Sequence, residues 1–170
     1  MGGKEKEEIV ISTLLENYER FYRFAYSYVS NEQDAMDVVQ EAAYKAVRSC
    51  ETLKNEKYTV SWLFTIVRNL ALDLREKRKR EQPGLLEEYL EGREEFIVQT
   101  QEDCRADIRE ALAVLEEKER TIIVLRFFED KKLSEIAEIM GENVNTIKSR
   151  LYRALQKLKI ELGDMAYFVG

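Results

Sequence analysis

The chain has 170 residues, 45% of them hydrophobic and 35% charged, with a formal net charge of −6 and no histidine. That length holds one medium domain or two small ones. Without histidine, neither a zinc site of ordinary ligand type nor a Ser-His or Cys-His nucleophile pair can be assembled, which counts against hydrolase chemistry.

One proline and seven glycines leave few turn formers, so long helices are expected rather than strands. Met1–Glu8 is polar, unlike a signal peptide, and no apolar run approaches the roughly 20 residues that span a bilayer, so a cytoplasmic location is expected. Ile9, Val10, Leu14, Tyr18, Phe21, Tyr22, Ala25 and Tyr28 recur at helical steps and predict one amphipathic helix. Ser30 stands three residues before Gln33, a capping-box start for a second helix whose apolar face runs Ala35, Val38, Val39, Ala42, Ala43, Ala46, Val47. The polar stretch Glu51–Lys57 interrupts the pattern. Trp62, Leu63, Ile66, Val67, Leu70 and Leu74 then stripe a third helix, which ends in an Arg/Lys run and is closed by Pro83-Gly84. Cys50 and Cys104 are far apart and are expected to be reduced, partly buried thiols.

Residues 83–104 have weak periodicity and strong negative charge. They read as a flexible acidic linker with a short helical stretch around Leu85–Leu90. Helical spacing resumes at Ile108, Ala111, Leu112 and Leu115, and continues through Ile122, Ile123, Leu125, Arg126 and Phe127. Two further helices follow at Leu133–Met140 and Val144–Leu162. The expected organisation is all-α: a first unit over 1–82, the tether over 83–104, a second unit over 105–162 and a tail over 163–170. The tail, with Met165, Tyr167 and Phe168, is either an extra partner contact or a frayed end.

The acidic net charge hides two basic patches. Arg68–Arg80 holds six basic residues against two acidic ones, and Asn145–Lys159 holds five and no acid. Charges act within a Debye length of roughly 8–10 Å, so local patches can bind nucleic acid on an acidic molecule. In Leu133–Leu158, Ile136, Ile139 and Met140 face inward and Ala137 permits a close helix crossing. Gly141 suits the left-handed position that ends a helix, and Val144, Ile147, Leu151 and Leu155 line the next one. Two helices joined by a tight glycine-containing turn predict a helix-turn-helix. Its second helix displays Asn145, Thr146, Lys148, Ser149, Tyr152 and Arg153, side chains suited to base edges and phosphates.

Three segments carry a family resemblance. Asp34-Ala35-Met36-Asp37-Val38-Val39-Gln40-Glu41 resembles the D-A-E-D-x-x-Q-E signature of extracytoplasmic-function (ECF) sigma factors of the sigma-70 family. Trp62–Asn69 with Asp73 is similar to their W-L-x-x-I-A-x-N-x-x-x-D block, and Thr146–Arg150 to their T-[IV]-K-S-R core. The resemblance implies a sigma-2-like domain of three or four helices and a sigma-4-like helix-turn-helix domain. It implies a role in transcription initiation with no catalysis, cofactor, metal or small-molecule substrate. Asp34, Asp37, Gln40 and Glu41 are then expected to bind core RNA polymerase, and Met36 departs from the usual acid. Asn55, Lys57, Tyr58, Thr59, Arg68, Asn69, Arg75 and Arg78 are expected at the −10 promoter element, with Tyr58 and Asn69 as captors of an unstacked base and Trp62 in the core. Asn145, Thr146, Lys148, Ser149, Arg150, Tyr152 and Arg153 are expected at the −35 element; Asn145 replaces the family's usual glycine. An anti-sigma partner is a further implication, along with a stress-response setting. The competing reading is a stand-alone helix-turn-helix regulator, which the polymerase-docking signature disfavours.

Overall fold

The computed structural model describes residues 2–81 and 111–162, and the chain divides into two compact units, Met1–Phe96 and Ile97–Gly170. The expected linker, its short helix at Leu85–Leu90, the Pro83-Gly84 stop, Cys104, Ile108 and the tail lie outside the described residues.

The apolar stripe expected in a single helix is broken at Asn17 into α1 (Gly3–Glu16) and α2 (Tyr18–Val29). Asn17 leaves helical geometry at φ −120° and ψ 20°. Its backbone N–H and its side-chain Nδ2 both donate to the Thr13 carbonyl, at 3.1 and 2.9 Å. The rung to Thr13 is kept and the side chain adds a local bond to the same carbonyl, a pattern by which Asn accompanies a helix end without any proline. The next helix start also differs from expectation. Ser30 sits in the left-handed region (φ 56°) and ends α2, so Asn31 caps α3 (Glu32–Arg48), its Oδ1 accepting from the Asp34 backbone N–H at 2.9 Å.

Two 3₁₀ turns, Cys50–Thr52 and Glu56–Tyr58, carry the polar stretch into α4 (Thr59–Glu81). Helices α2, α3 and α4 pack against one another, and α1 lies against α3 and α4. The centre is aromatic. Phe64 meets Phe21 and Phe24 edge-on, with ring centroids 4.9 and 5.0 Å apart, and Phe24 meets Tyr28 at 5.4 Å. Ala35, Ala42 and Ala46 of α3 are wholly buried, small enough to let neighbouring backbones approach. On α4 the buried face is Leu63, Phe64, Val67 and Ala71. Trp62, Ile66, Leu70 and Leu74 are only half-buried, because α4 is packed from two sides and the core takes a line beside the predicted stripe. Cys50 is a buried free thiol.

The second unit holds helical residues 111–113, α5 (Glu117–Ile123), α6 (Leu133–Met140) and α7 (Val144–Leu162). Helix α5 runs into a π-turn, Val124–Phe128, whose wider rungs include Glu129 N–H to the Val124 carbonyl at 3.0 Å. That change of pitch turns Phe127 outward and leaves Arg126 half-buried, bonded to the Lys131 carbonyl at 3.1 Å; the predicted apolar stripe therefore stops at Leu125. Leu112, Leu115, Ile122, Ile123, Leu125, Ile136, Ile139, Ile147 and Leu158 form the core. Among the described residues there is no strand, and no helix is long and apolar enough to cross a membrane.

Candidate nucleic-acid interface

The turn between α6 and α7 is built by backbone chemistry. Gly141 stands in the left-handed region at φ 68° and ψ 32°. Its N–H bonds to the Glu138 carbonyl at 3.3 Å, and the Glu142 N–H bonds to the Ala137 carbonyl at 3.0 Å. This paired closure is a Schellman motif, which satisfies carbonyls that the helix end would otherwise leave open. Asn143 then caps α7: its Oδ1 accepts from the Thr146 N–H at 2.8 Å and from the Thr146 hydroxyl at 3.0 Å. The turn is three residues long and fixed at both ends.

From it, α7 buries Ile147, Leu151, Ala154 and Leu158, while Val144 and Leu155 are half-buried. The exposed face carries Asn145, Lys148, Ser149, Tyr152 and Arg153 at i, i+3, i+4, i+7 and i+8. Tyr152 is 66% exposed. Five of the seven residues predicted at this face thus share one outward arc. Thr146 is engaged in the cap, and Arg150 is half-buried and ion-paired with Glu142. The face presents two cations, a phenol, an amide and a hydroxyl with no carboxylate among them, which is the chemistry of a surface that meets phosphate and base edges.

The first unit has a second basic surface, on α4 and the loop before it. Asn55, Lys57 and Tyr58 are exposed; Asn55 Oδ1 accepts from the Lys57 N–H at 2.9 Å, and the Lys57 ammonium lies 5.8 Å from the Tyr58 ring centroid. Thr59, predicted with them, is buried instead, and its hydroxyl bonds to the Glu56 carbonyl at 2.7 Å. Asn69, Lys77 and Arg80 project from α4 into solvent. Arg68 and Arg75, two turns apart on α4, both lay their guanidinium groups over the buried Tyr28 ring, 5.9 and 5.6 Å from its centroid. Stacking of this kind holds a cation in place while leaving its charge effective. Tyr28 had been visible only as a core aromatic, since nothing in the spacing of α2 reveals what α4 lays across it.

The acidic residues of α3 separate into two groups. Asp37, Gln40 and Glu41 are exposed, with half-exposed Met36 and the 60% exposed Tyr44 nearby on the helix. Asp34 is only 9% exposed and holds Arg78 in a fork, Oδ1 to Nη2 at 3.0 Å and Oδ2 to Nε at 3.2 Å. The structure therefore joins two residues that sequence reasoning had assigned to different partners. Sequence reasoning also missed Glu142 and Glu119. Glu142 binds Lys118 at 3.1 Å as well as Arg150, and the buried Glu119 binds Lys157 at 2.8 Å. For Glu142 the available signal was a carboxylate in the middle of the helix-turn-helix turn, just before a basic window.

Residues 14–81 match the family model described as Sigma-70 region 2, and residues 105–158 match Sigma-70, region 4. The RNA polymerase sigma factor SigV of Bacillus subtilis is 42% identical over 157 residues, covering 91% of this chain and 91% of that relative. The ECF RNA polymerase sigma factor SigW of the same organism is 26% identical, covering 95% of this chain and 94% of its own. Among solved structures, the sigma factor RpoE in complex with the anti-sigma factor NepR, from Bartonella quintana, is similar with a TM-score of 0.60 and 27% identity. It covers 89% of this chain and 94% of its own. CnrH, solved with the cytosolic domain of CnrY, shares the fold at a TM-score of 0.60.

Proposed function

The chain belongs to the ECF sigma factors of the sigma-70 family, which direct transcription initiation, and we propose that it does so by touching one promoter at two places while docking on core RNA polymerase. The observation that carries this reading is the outward arc of α7, where Lys148, Ser149, Tyr152 and Arg153 are exposed on a stretch, Val144–Ile160, whose sequence holds no acidic residue. This face enters the major groove of the −35 element. Asn55, Lys57, Tyr58 and Asn69 meet the −10 element, while the half-buried Arg68 and Arg75, braced on Tyr28, add positive charge from behind them. Opening a duplex costs a few kcal/mol per unstacked base, which capture of that base by stacking and hydrogen bonding offsets. Tyr58 and Asn69, both exposed, supply an aromatic face and an amide for that capture.

Asp37, Gln40 and Glu41 dock on polymerase, since exposed carboxylates repel phosphate and suit a basic protein surface. The division of labour follows residues 1–82 and 105–162, with 83–104 as tether. The protein acts in the cytoplasm without catalysis of its own. A protein inhibitor that covers the docking faces is proposed because the similar RpoE was solved with the anti-sigma factor NepR.

Run-off transcription tests this reading. Purified chain added to bacterial core polymerase is expected to yield transcripts from its promoter that the core alone does not make. Tight duplex binding by the chain alone with no transcript would favour a stand-alone regulator instead.

A further inference from the structure

Two cations of α7, Arg150 and Lys157, are tied to carboxylates of their own unit. Lys148 and Arg153 are exposed, whereas the Arg150 side chain is 22% exposed and its Nη1 donates to Oε2 of Glu142. The other Glu142 oxygen, Oε1, accepts from Lys118 Nζ at 3.1 Å. A single carboxylate thus ties together the first turn of α5, the helix-turn-helix turn and α7. Its backbone is fixed as well, because the Glu142 N–H closes the Schellman motif on Ala137. A second tie repeats the arrangement seven residues along: Lys157 Nζ donates at 2.8 Å to Oε1 of Glu119, which is 1% exposed and whose same oxygen accepts the Glu116 N–H at 3.0 Å. Seven residues are close to two helical turns, so Arg150 and Lys157 pin one flank of α7 while the neighbouring arc carries the exposed polar residues.

We propose that Arg150 is a positioning residue: held by Glu142, it fixes the angle at which α7 presents Lys148, Ser149, Tyr152 and Arg153, and it makes no DNA contact of its own. The proposal rests on the reading of α7 as the DNA-reading helix and refines it. For Arg150 to reach a phosphate it would have to leave a partly buried carboxylate that then faces the phosphates with one fewer counter-charge. Stripping one partner from such a pair is unfavourable. Glu142 consequently aids DNA binding although its charge has the sign of DNA, the reverse of what simple charge counting predicts.

The test is a salt titration of holoenzyme, assembled from full-length chain and core polymerase, on a promoter duplex recovered by holoenzyme selection. Each phosphate contact contributes about 0.9 to the slope of log K against log salt. Arg150→Met is expected to weaken binding several-fold with the slope unchanged. Glu142→Gln should weaken binding by a similar factor, and the double variant should be no worse than either single one. Glu142→Asp, which keeps the charge but shortens the reach, should also weaken it. Circular-dichroism melting identifies any variant that has lost its fold, and the remaining variants still decide the question. A slope reduced by about 0.9 in Arg150→Met, or tighter binding by Glu142→Gln, would overturn the proposal. Lys148→Ala and Arg153→Ala serve as a separate arm. If these two leave both affinity and slope unchanged, it is the assignment of α7 to DNA that fails, not the role of Arg150.

Discussion

Asp34 and Asp37 stand three residues apart on α3, and a sequence reading treats them alike. Their surroundings separate them. Asp34 is buried and forks onto Arg78 from 44 residues away, while Asp37 is exposed and accepts from Gln33 at 2.9 Å. Asp34→Asn is therefore expected to lower the free energy of unfolding by about 1–3 kcal/mol, because a partly buried guanidinium loses its charged partner. Asp37→Asn should change stability by less than about 0.5 kcal/mol, as surface substitutions do, yet weaken association with core polymerase. Urea denaturation and a polymerase pull-down check the pair. An unshifted denaturation midpoint for Asp34→Asn would remove its bracing role, and normal holoenzyme formation by Asp37→Asn would remove that residue from the docking face. Residue types and their spacing in the sequence pointed to the α3 acids and the α4 bases as important, but not to each other. A contact across 44 residues leaves no trace in local periodicity.

At the scale of elements, helix ends were legible where one residue type has a single conformational use. Gly141 is such a case: left-handed backbone at φ 68° suits a residue without Cβ, and the turn was read from it directly. A Cβ added there meets nothing within 4 Å, so the cost of Gly141→Ala is conformational alone, about 1–2 kcal/mol. Thermal denaturation should show that loss, and an unchanged melting temperature would mean that the turn tolerates another geometry. Ends set by competition between similar groups were not legible. Asn17 breaks a helix inside an unbroken apolar pattern by leaving helical dihedrals while its side chain adds a second bond to the Thr13 carbonyl, and Asn31 caps α3 because the adjacent Ser30 already ends α2. The π-turn after α5 belongs to the same class. Nothing in Val124–Phe128 announces a change of pitch, so the helical pattern reads on through Phe127, which lies at the surface.

For the whole molecule, net charge was the least informative number and its distribution the most useful. A chain at −6 presents an α7 face without a carboxylate and a basic end to α4, with Asp34, Glu76, Glu142 and Glu119 tied into pairs with Arg78, Lys79, Arg150 and Lys157. The outward residues of α7 were readable because helical spacing places them on one arc. The inward-tied Arg150 was not, since the same spacing rule leaves it at the edge of that arc and only the turn decides which way it is drawn. In the proposed function, two separate surfaces of one chain read two stretches of one DNA while polymerase is bound. Selection of binding sites from a random duplex library by the reconstituted holoenzyme, followed by sequencing, tests this most directly. Two preferred blocks at a fixed separation are expected, with Lys148→Ala and Arg153→Ala relaxing only the upstream one. A single block, or a preference unchanged by those substitutions, would contradict it.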